Sequence, residues 1–315
     1  MILGHERQIE YFNNVLKHGR LAHAYLLYGP EHVGKFMIAK EFAKALYCEK
    51  SAEQIDVSCG VCSACRQIEA GEHPSVIVLD RETTLVSKKD IRKEIPIEDI
   101  REVKRRFSFA ARPDETRVVI INGAEYLSSE AANAFLKLLE EPGARTLCLL
   151  ISHDRDSLLP TIISRTQGIR FSLVADSVLK PFLSRSGSEQ SVQNDILRFA
   201  AGRPGVAVQL VGDTVLLKEE CAFSIGIERM IKAGIPQAFV WSEKVAGDEE
   251  LRKKTITYIV EALRAQLFES GRDAQERASL LKRMKEIDRV ATICATTNVN
   301  PRLALDMIFI ASVGI

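Results

Sequence analysis

Residues 29–36 read Gly-Pro-Glu-His-Val-Gly-Lys-Phe. A loop of the form G-x-x-x-x-G-K-[S/T] binds nucleotide phosphates for three reasons. Its glycines let backbone N–H groups wrap them, its lysine neutralises their charge, and its hydroxyl holds Mg²⁺. Gly29, Gly34 and Lys35 retain the first two capacities. Phe36 removes the third, since a phenyl ring cannot ligate a cation that takes oxygen. A second cluster, Cys48, Cys59, Cys62 and Cys65, is spaced C-x10-C-x2-C-x2-C. Four thiolates at this density suit a tetrahedral Zn²⁺, and with every position filled by sulfur the site is structural rather than catalytic. An Fe–S cluster would also use four cysteines, but no second redox motif accompanies them.

Hydrolysis needs an acid at the end of a neighbouring strand to help hold the metal and activate water. The candidate strand, "RVVIINGAEYL", offers Asn122 and Gly123 where an acidic pair belongs. The neutral Asn122 amide can hydrogen-bond but is a poor Mg²⁺ ligand. Glu125 falls two residues late and is expected to cap a turn or face solvent. Metal ligation is damaged at both places, so no hydrolysis is expected here, while Lys35 leaves binding of ATP or ADP open. In "LLPTIISRTQ" Arg165 sits at an expected helix end, where an arginine that merely caps its helix is the plain reading. An arginine lent to a neighbour's triphosphate is the sharper one. The six histidines show no metal or triad spacing, and His23 and His153 read as structural or as supporting a neighbouring site residue. Cys148, Cys221 and Cys294 lie in apolar surroundings and read as buried small hydrophobes.

The elements that must position these groups are legible as alternating strand and helix patterns. "AYLLYG" (24–29), "SVIVLD" (75–80), "RVVIING" (117–123), "TLCLLIS" (146–152) and "GIRFSL" (168–173) read as buried strands. Their near-continuous apolarity suits a parallel sheet with helices on both faces. Helices are expected in "GKFMIAKEFAKALY", "IEDIREVKRRFSF" and "SSEAANAFLKLLEEPG", the last capped by Ser128 or Ser129 and stopped at Pro142-Gly143. This gives an α/β domain over 1–172, of the phosphate-loop type and with a cysteine insert at 48–65. A small helical segment follows over 173–212, and an all-helical one over 213–315 in which Asn300 caps a helix beginning at Pro301. Residues 81–96 read as a charged surface loop.

Composition narrows the function classes. At 315 residues the chain exceeds one compact domain, and 46% hydrophobic with 27% charged residues describes an ordinary globular protein. A net charge of +1 argues against a dedicated nucleic-acid-binding module, whose footprint is usually basic. No membrane-length apolar run and no signal-like start is present, so the cytoplasm is the expected compartment.

"LAHAYLLYGPEHVGK", "CGVCSACRQIEAGEHPSV", "AANAFLKLLEEP" and "LLPTIISRTQ", in this order, resemble the clamp-loader subunits of bacterial DNA polymerase III, members of the AAA+ class. The resemblance covers residues 1 to about 210, and the terminal "NPRLALDMIF" is compatible with it. It implies an AAA+ domain with a zinc insert, a helical lid and a C-terminal helical collar. The implied partners are gamma/tau and delta subunits, with a sliding clamp and primed DNA engaged by the whole complex. Two kinds of subunit share these motifs, an ATP-hydrolysing gamma/tau motor and a delta-prime subunit that lends an arginine to the motor beside it. Phe36, Asn122 and Gly123 depart from the motor pattern. So does "GRPGVAVQL", with Gly205 about where a motor's nucleotide-sensing arginine would stand and Arg203 offset from it. Ser164-Arg165, the element that would act on a neighbour, is intact, with Thr166 in place of the usual cysteine. The resemblance thus implies the delta-prime kind; a divergent motor centred on Lys35 is the alternative.

Overall fold

A computed structural model describes residues 2–50, 58–82, 93–109, 116–141, 145–267, 273–296 and 299–313. The chain divides into two compact units, Met1–Gly212 and Asp213–Ile315. In the first, strands β1 (Ala24–Tyr28), β2 (Val76–Leu79), β3 (Arg117–Asn122), β4 (Thr146–Ser152) and β5 (Gln167–Arg170) form one sheet in the order β2-β3-β4-β1-β5. Every pairing is parallel.

The pleat sends successive residues to opposite faces, which is why continuous apolar runs were needed. Leu26, Ile77, Leu79, Val119, Ile121, Cys148 and Leu150 enter one apolar cluster. Tyr25, Leu27, Val76, Val118, Ile120, Leu147, Leu149 and Ile151 enter the other. Helices α4 (Ile97–Phe109) and α5 (Ser129–Glu140) cover the first face; α1 (Glu6–His18) and α2 (Lys35–Tyr47) cover the second. Helix α5 shows how sequence sets the packing. Ser128 is its cap, accepting from the Ala131 N–H at 3.1 Å, and Ala131, Ala132, Phe135, Leu138 and Leu139 form its buried stripe. Burying a side chain such as Phe135 contributes about 1.5–3 kcal/mol.

One strand differs from its sequence reading. β5 starts at Gln167 and is largely exposed, not buried. It is an edge strand paired to β1 on one side only, and the apolar residue that prompted the reading, Phe171, lies just past its end in the α2-face core. After it come α7 (Asp176–Arg185), α8 (Gln190–Ala200) and α9 (Pro204–Gly212), completing the first unit. A short helix, α3 (Ser63–Ala70), lies in the cysteine insert, and another, α6 (Pro160–Ile163), precedes β5. The expected stop at Pro142-Gly143 and most of the expected loop at 81–96 lie outside the described residues.

The described part of the second unit consists of α10 (Thr214–Ala233), α11 (Ile235–Val245), α12 (Glu249–Leu267), α13 (Ala274–Thr296) and α14 (Pro301–Val313). Asn300 caps α14, its Oδ1 accepting from the Arg302 N–H at 2.9 Å. The core gathers Ile227, Ile259, Leu263, Ile287, Ile308 and Phe309. Cys148 is fully buried as expected, but Cys221 and Cys294 are only half-buried, Cys294 packing against the core of its unit. Among the described residues no helix is long and apolar enough to cross a membrane. A parallel sheet clad on both faces, followed by helical segments, is the architecture that resemblance to AAA+ clamp-loader subunits implies.

Candidate nucleotide-loop and metal sites

The loop between β1 and α2 is shaped by two glycines. At Gly29 φ is +135°, and a Cβ there would stand 2.2 Å from the Phe171 carbonyl oxygen. No other residue fits. At Gly34 a Cβ would meet nothing within 4 Å, so its φ of +104° alone selects glycine. Gly34 then opens α2 with Lys35 as its first residue.

Most of the loop's carbonyls have identifiable partners. Lys35 Nζ donates to the oxygens of Gly29 and Pro30, both at 2.5 Å. The Gly205 N–H donates to His32 O at 2.8 Å. His5 Nε2 lies 2.8 Å from Val33 O, with its ring centroid 4.9 Å from that of Phe171. Burial holds the His5 imidazole below its ordinary 6.5, so at neutral pH it is uncharged and donates through Nε2. Lys35 is 6% exposed, and burial brings its ammonium down to about 8 in spite of Glu125 and Glu31 nearby.

The metal-binding positions are otherwise occupied. Phe36 packs its ring against the α2-face core, with Lys40 Nζ 5.7 Å from the ring centroid. Asn122 ends β3, and Gly123 has no room for a carboxylate, because a Cβ there would meet Tyr126 Cδ2 at 2.6 Å. Of the two expectations for Glu125, capping a turn or facing solvent, the second does not hold. Glu125 lies in a 3-10 turn, Ala124–Tyr126, and its side chain is 7% exposed rather than solvent-facing. It accepts from the His153 N–H at 3.2 Å and pairs with His153 Nδ1. Burial alone would raise the Glu125 carboxyl, but the His153 hydrogen bonds outweigh it and hold the group below 4.5. The same bond raises His153 above 6.5. No local pattern signals this pair, because its members follow the ends of different strands 28 positions apart.

Arg165 lies between α6 and β5, away from this cluster of contacts. Its Nη1 donates to Thr161 O at 3.1 Å, and its Nη2 pairs with Glu140 Oε1 at 2.8 Å. Arg203 serves a local purpose: Nε and Nη2 donate to the carbonyls of Ala200 and Phe199, closing the C-terminus of α8.

The four clustered cysteines converge, with all Sγ atoms within 4.8 Å of one another. Cys48 ends α2 and Cys62 caps α3, so helix termini place two of the sulfurs. Backbone N–H groups point at them: Cys59 to Cys48 Sγ and Cys62 to Cys59 Sγ, both 3.3 Å, and Cys65 to Cys62 Sγ at 3.5 Å. The Cys65 N–H brings the Cys62 thiol down to about 6, whereas burial pushes Cys65 up to about 12. A cation among the sulfurs would override that difference and hold all four as thiolates. Sulfurs so placed, and already accepting N–H bonds, could hold a metal ion. Glu69 on α3 ties the insert to α2 through Lys40 at 2.9 Å and Lys44 at 2.6 Å.

Fold and site together define a phosphate-loop α/β protein whose loop geometry persists without its metal ligands. Residues 4–175 match the family described as "DNA polymerase III, delta subunit", and the chain belongs to it. It is 34% identical over 227 residues to DNA polymerase III subunit delta' of Pseudomonas aeruginosa, covering 70% of this chain and 66% of that one. To the Bacillus subtilis subunit delta' it is 28% identical over 227 residues, 72% of this chain and 63% of the relative. It is also similar to Bacillus subtilis subunit tau, at 32% over 178 residues, 56% of this chain and 30% of the relative. The chain thus spans about two thirds of the delta' relatives' own length.

Proposed function

We propose that this chain is a delta-prime-type subunit of a DNA polymerase III clamp loader, one that does not itself hydrolyse ATP. It assembles with gamma/tau and delta subunits in the cytoplasm and helps the complex load a sliding clamp onto primed DNA. In this reading 1–172 is a nucleotide-binding-like domain, 173–212 a helical lid and 213–315 a collar that joins neighbouring subunits. Zn²⁺ held by Cys48, Cys59, Cys62 and Cys65 would tie the insert to α2, with a structural role only. Arg165 reaches the γ-phosphate of ATP bound by the adjoining motor subunit.

The observation that carries the reading is a loop that keeps its shape while its metal positions lack oxygen ligands, Phe36 packing into the core and Gly123 sitting where a side chain would run into Tyr126. The delta' relatives also match over somewhat more of the chain, 227 residues against 178 for Bacillus subtilis tau and 209 for the Mycobacterium tuberculosis gamma/tau subunit, so the gamma/tau motor reading is not favoured.

The test is ATP turnover by the reconstituted loader with clamp and primed DNA. Arg165→Ala is expected to slow the facing ATP site by about 10³-fold or more, the scale of a trans arginine in related nucleotide hydrolases. Lys35→Ala is expected to leave turnover unchanged. Turnover by the purified chain alone, abolished by Lys35→Ala, would instead identify a working motor.

A further inference from the structure

Arg165 is held by two elements at once. Glu140, the last residue of α5, pairs with Nη2 at 2.8 Å. From α6 the Thr161 carbonyl accepts from Nη1 at 3.1 Å, and the Ser164 hydroxyl lies 3.5 Å from the same nitrogen. Both elements are anchored, α5 through Phe135, Leu138 and Leu139, and α6 through Ile162. A guanidinium has five N–H donors in a fixed fork, and these contacts leave the Nε–H and one Nη2 hydrogen for a bidentate phosphate contact. The pair is open to solvent, with the arginine side chain 37% and the glutamate 49% exposed, so a triphosphate could approach it.

We infer that Glu140 is a positioning residue for Arg165; this rests on the trans-arginine reading above. An arginine free in solvent loses rotamer freedom when it engages a phosphate. One already oriented by a carboxylate on α5 and a carbonyl on α6 has lost much of that freedom beforehand, and the saving appears in the rate. Glu140 does not touch the nucleotide. It fixes the direction in which the fork points.

The experiment again uses the reconstituted loader with clamp and primed DNA, measuring kcat and KM for ATP. Glu140→Ala is expected to lower kcat about 5-fold, the scale of one well-formed surface ion pair, with KM unchanged. Glu140→Asp should recover part of the loss, and the double variant Glu140→Ala/Arg165→Ala should be no slower than Arg165→Ala alone. A wild-type kcat for Glu140→Ala, alongside a slow Arg165→Ala, overturns the role of Glu140 and spares the trans arginine. So does a double variant slower than Arg165→Ala, since Glu140 would then act elsewhere. A wild-type kcat for Arg165→Ala overturns the functional reading itself.

Discussion

Gly205 donates its backbone N–H to the carbonyl of His32 at 2.8 Å, joining the first turn of α9 to the phosphate loop. A side chain at 205 would intrude on that joint, because its Cβ would stand 2.9 Å from the same oxygen. Backbone on both sides leaves no flexible group to give way. Gly205→Ala is therefore expected to destabilise the first unit by about 1–3 kcal/mol, the usual cost of overpacking. Urea unfolding measures it, and an unshifted midpoint would show that α9 can move aside freely.

Lys35 makes stability depend on pH in the alkaline range. Its buried amine titrates at about 8, against an ordinary value of 10.5. Below about 8 the group is charged folded or unfolded, and its burial is a constant cost. Between about 8 and 10.5 the unfolded chain binds more protons, so this residue makes stability rise with pH. Lys35→Met should flatten that rise, as judged by urea midpoints taken on both sides of the window.

The Glu125–His153 pair has a window of its own. Its stabilisation is present once Glu125 is ionised, and it is lost with acid as pH falls through the lowered Glu125 pKa. On the alkaline side it is full below 6.5 and lost as pH rises through the raised His153 pKa. Glu125→Gln removes the acceptor charge, so the His153 ring should then titrate at lower pH, followed by NMR. An unmoved titration would mean that another group sets the His153 pKa.

Metal content offers the most direct chemical test of the sulfur site. The purified chain should carry Zn²⁺ stoichiometrically, and Cys62→Ser should bind it far more weakly. Because a bound structural metal stabilises only the folded form, chelation should lower the melting temperature of the wild type and leave the serine variant nearly unaffected. Elemental analysis with paired melting curves decides it. A wild type without metal, indifferent to chelator, would remove zinc from the account.

What the sequence made legible depended on how local each signal was. β1 to β4, the turn into α2 and the convergence of the cysteines follow from runs of residue types and spacings within a few dozen positions. β5 is found where the sequence places a strand, but it is shorter and exposed, because an edge strand needs little apolarity and the neighbouring Phe171 supplies the stronger pattern. Glu125 reads from sequence as a turn cap or a solvent-facing acid because its partner, His153, comes from the end of the next strand of the sheet. The roles of His5 and Gly205 are illegible for the same reason, since each meets a loop carbonyl from a distant part of the chain, His5 through its ring Nε2 and Gly205 through its backbone N–H. Single contacts of this kind leave no periodicity to read.

Helix α2 begins with Lys35 and ends at Tyr47, directly before Cys48. Its 13 residues span roughly 20 Å at ~1.5 Å each, so it works as a splint between the two sites. The turn at Gly34 sets the bearing of that splint, and the bearing decides where the first sulfur arrives. The loop thus has work as a foundation, whatever it binds. Shifting it would misalign a thiol at the far end of the rod, well beyond the reach of any phosphate.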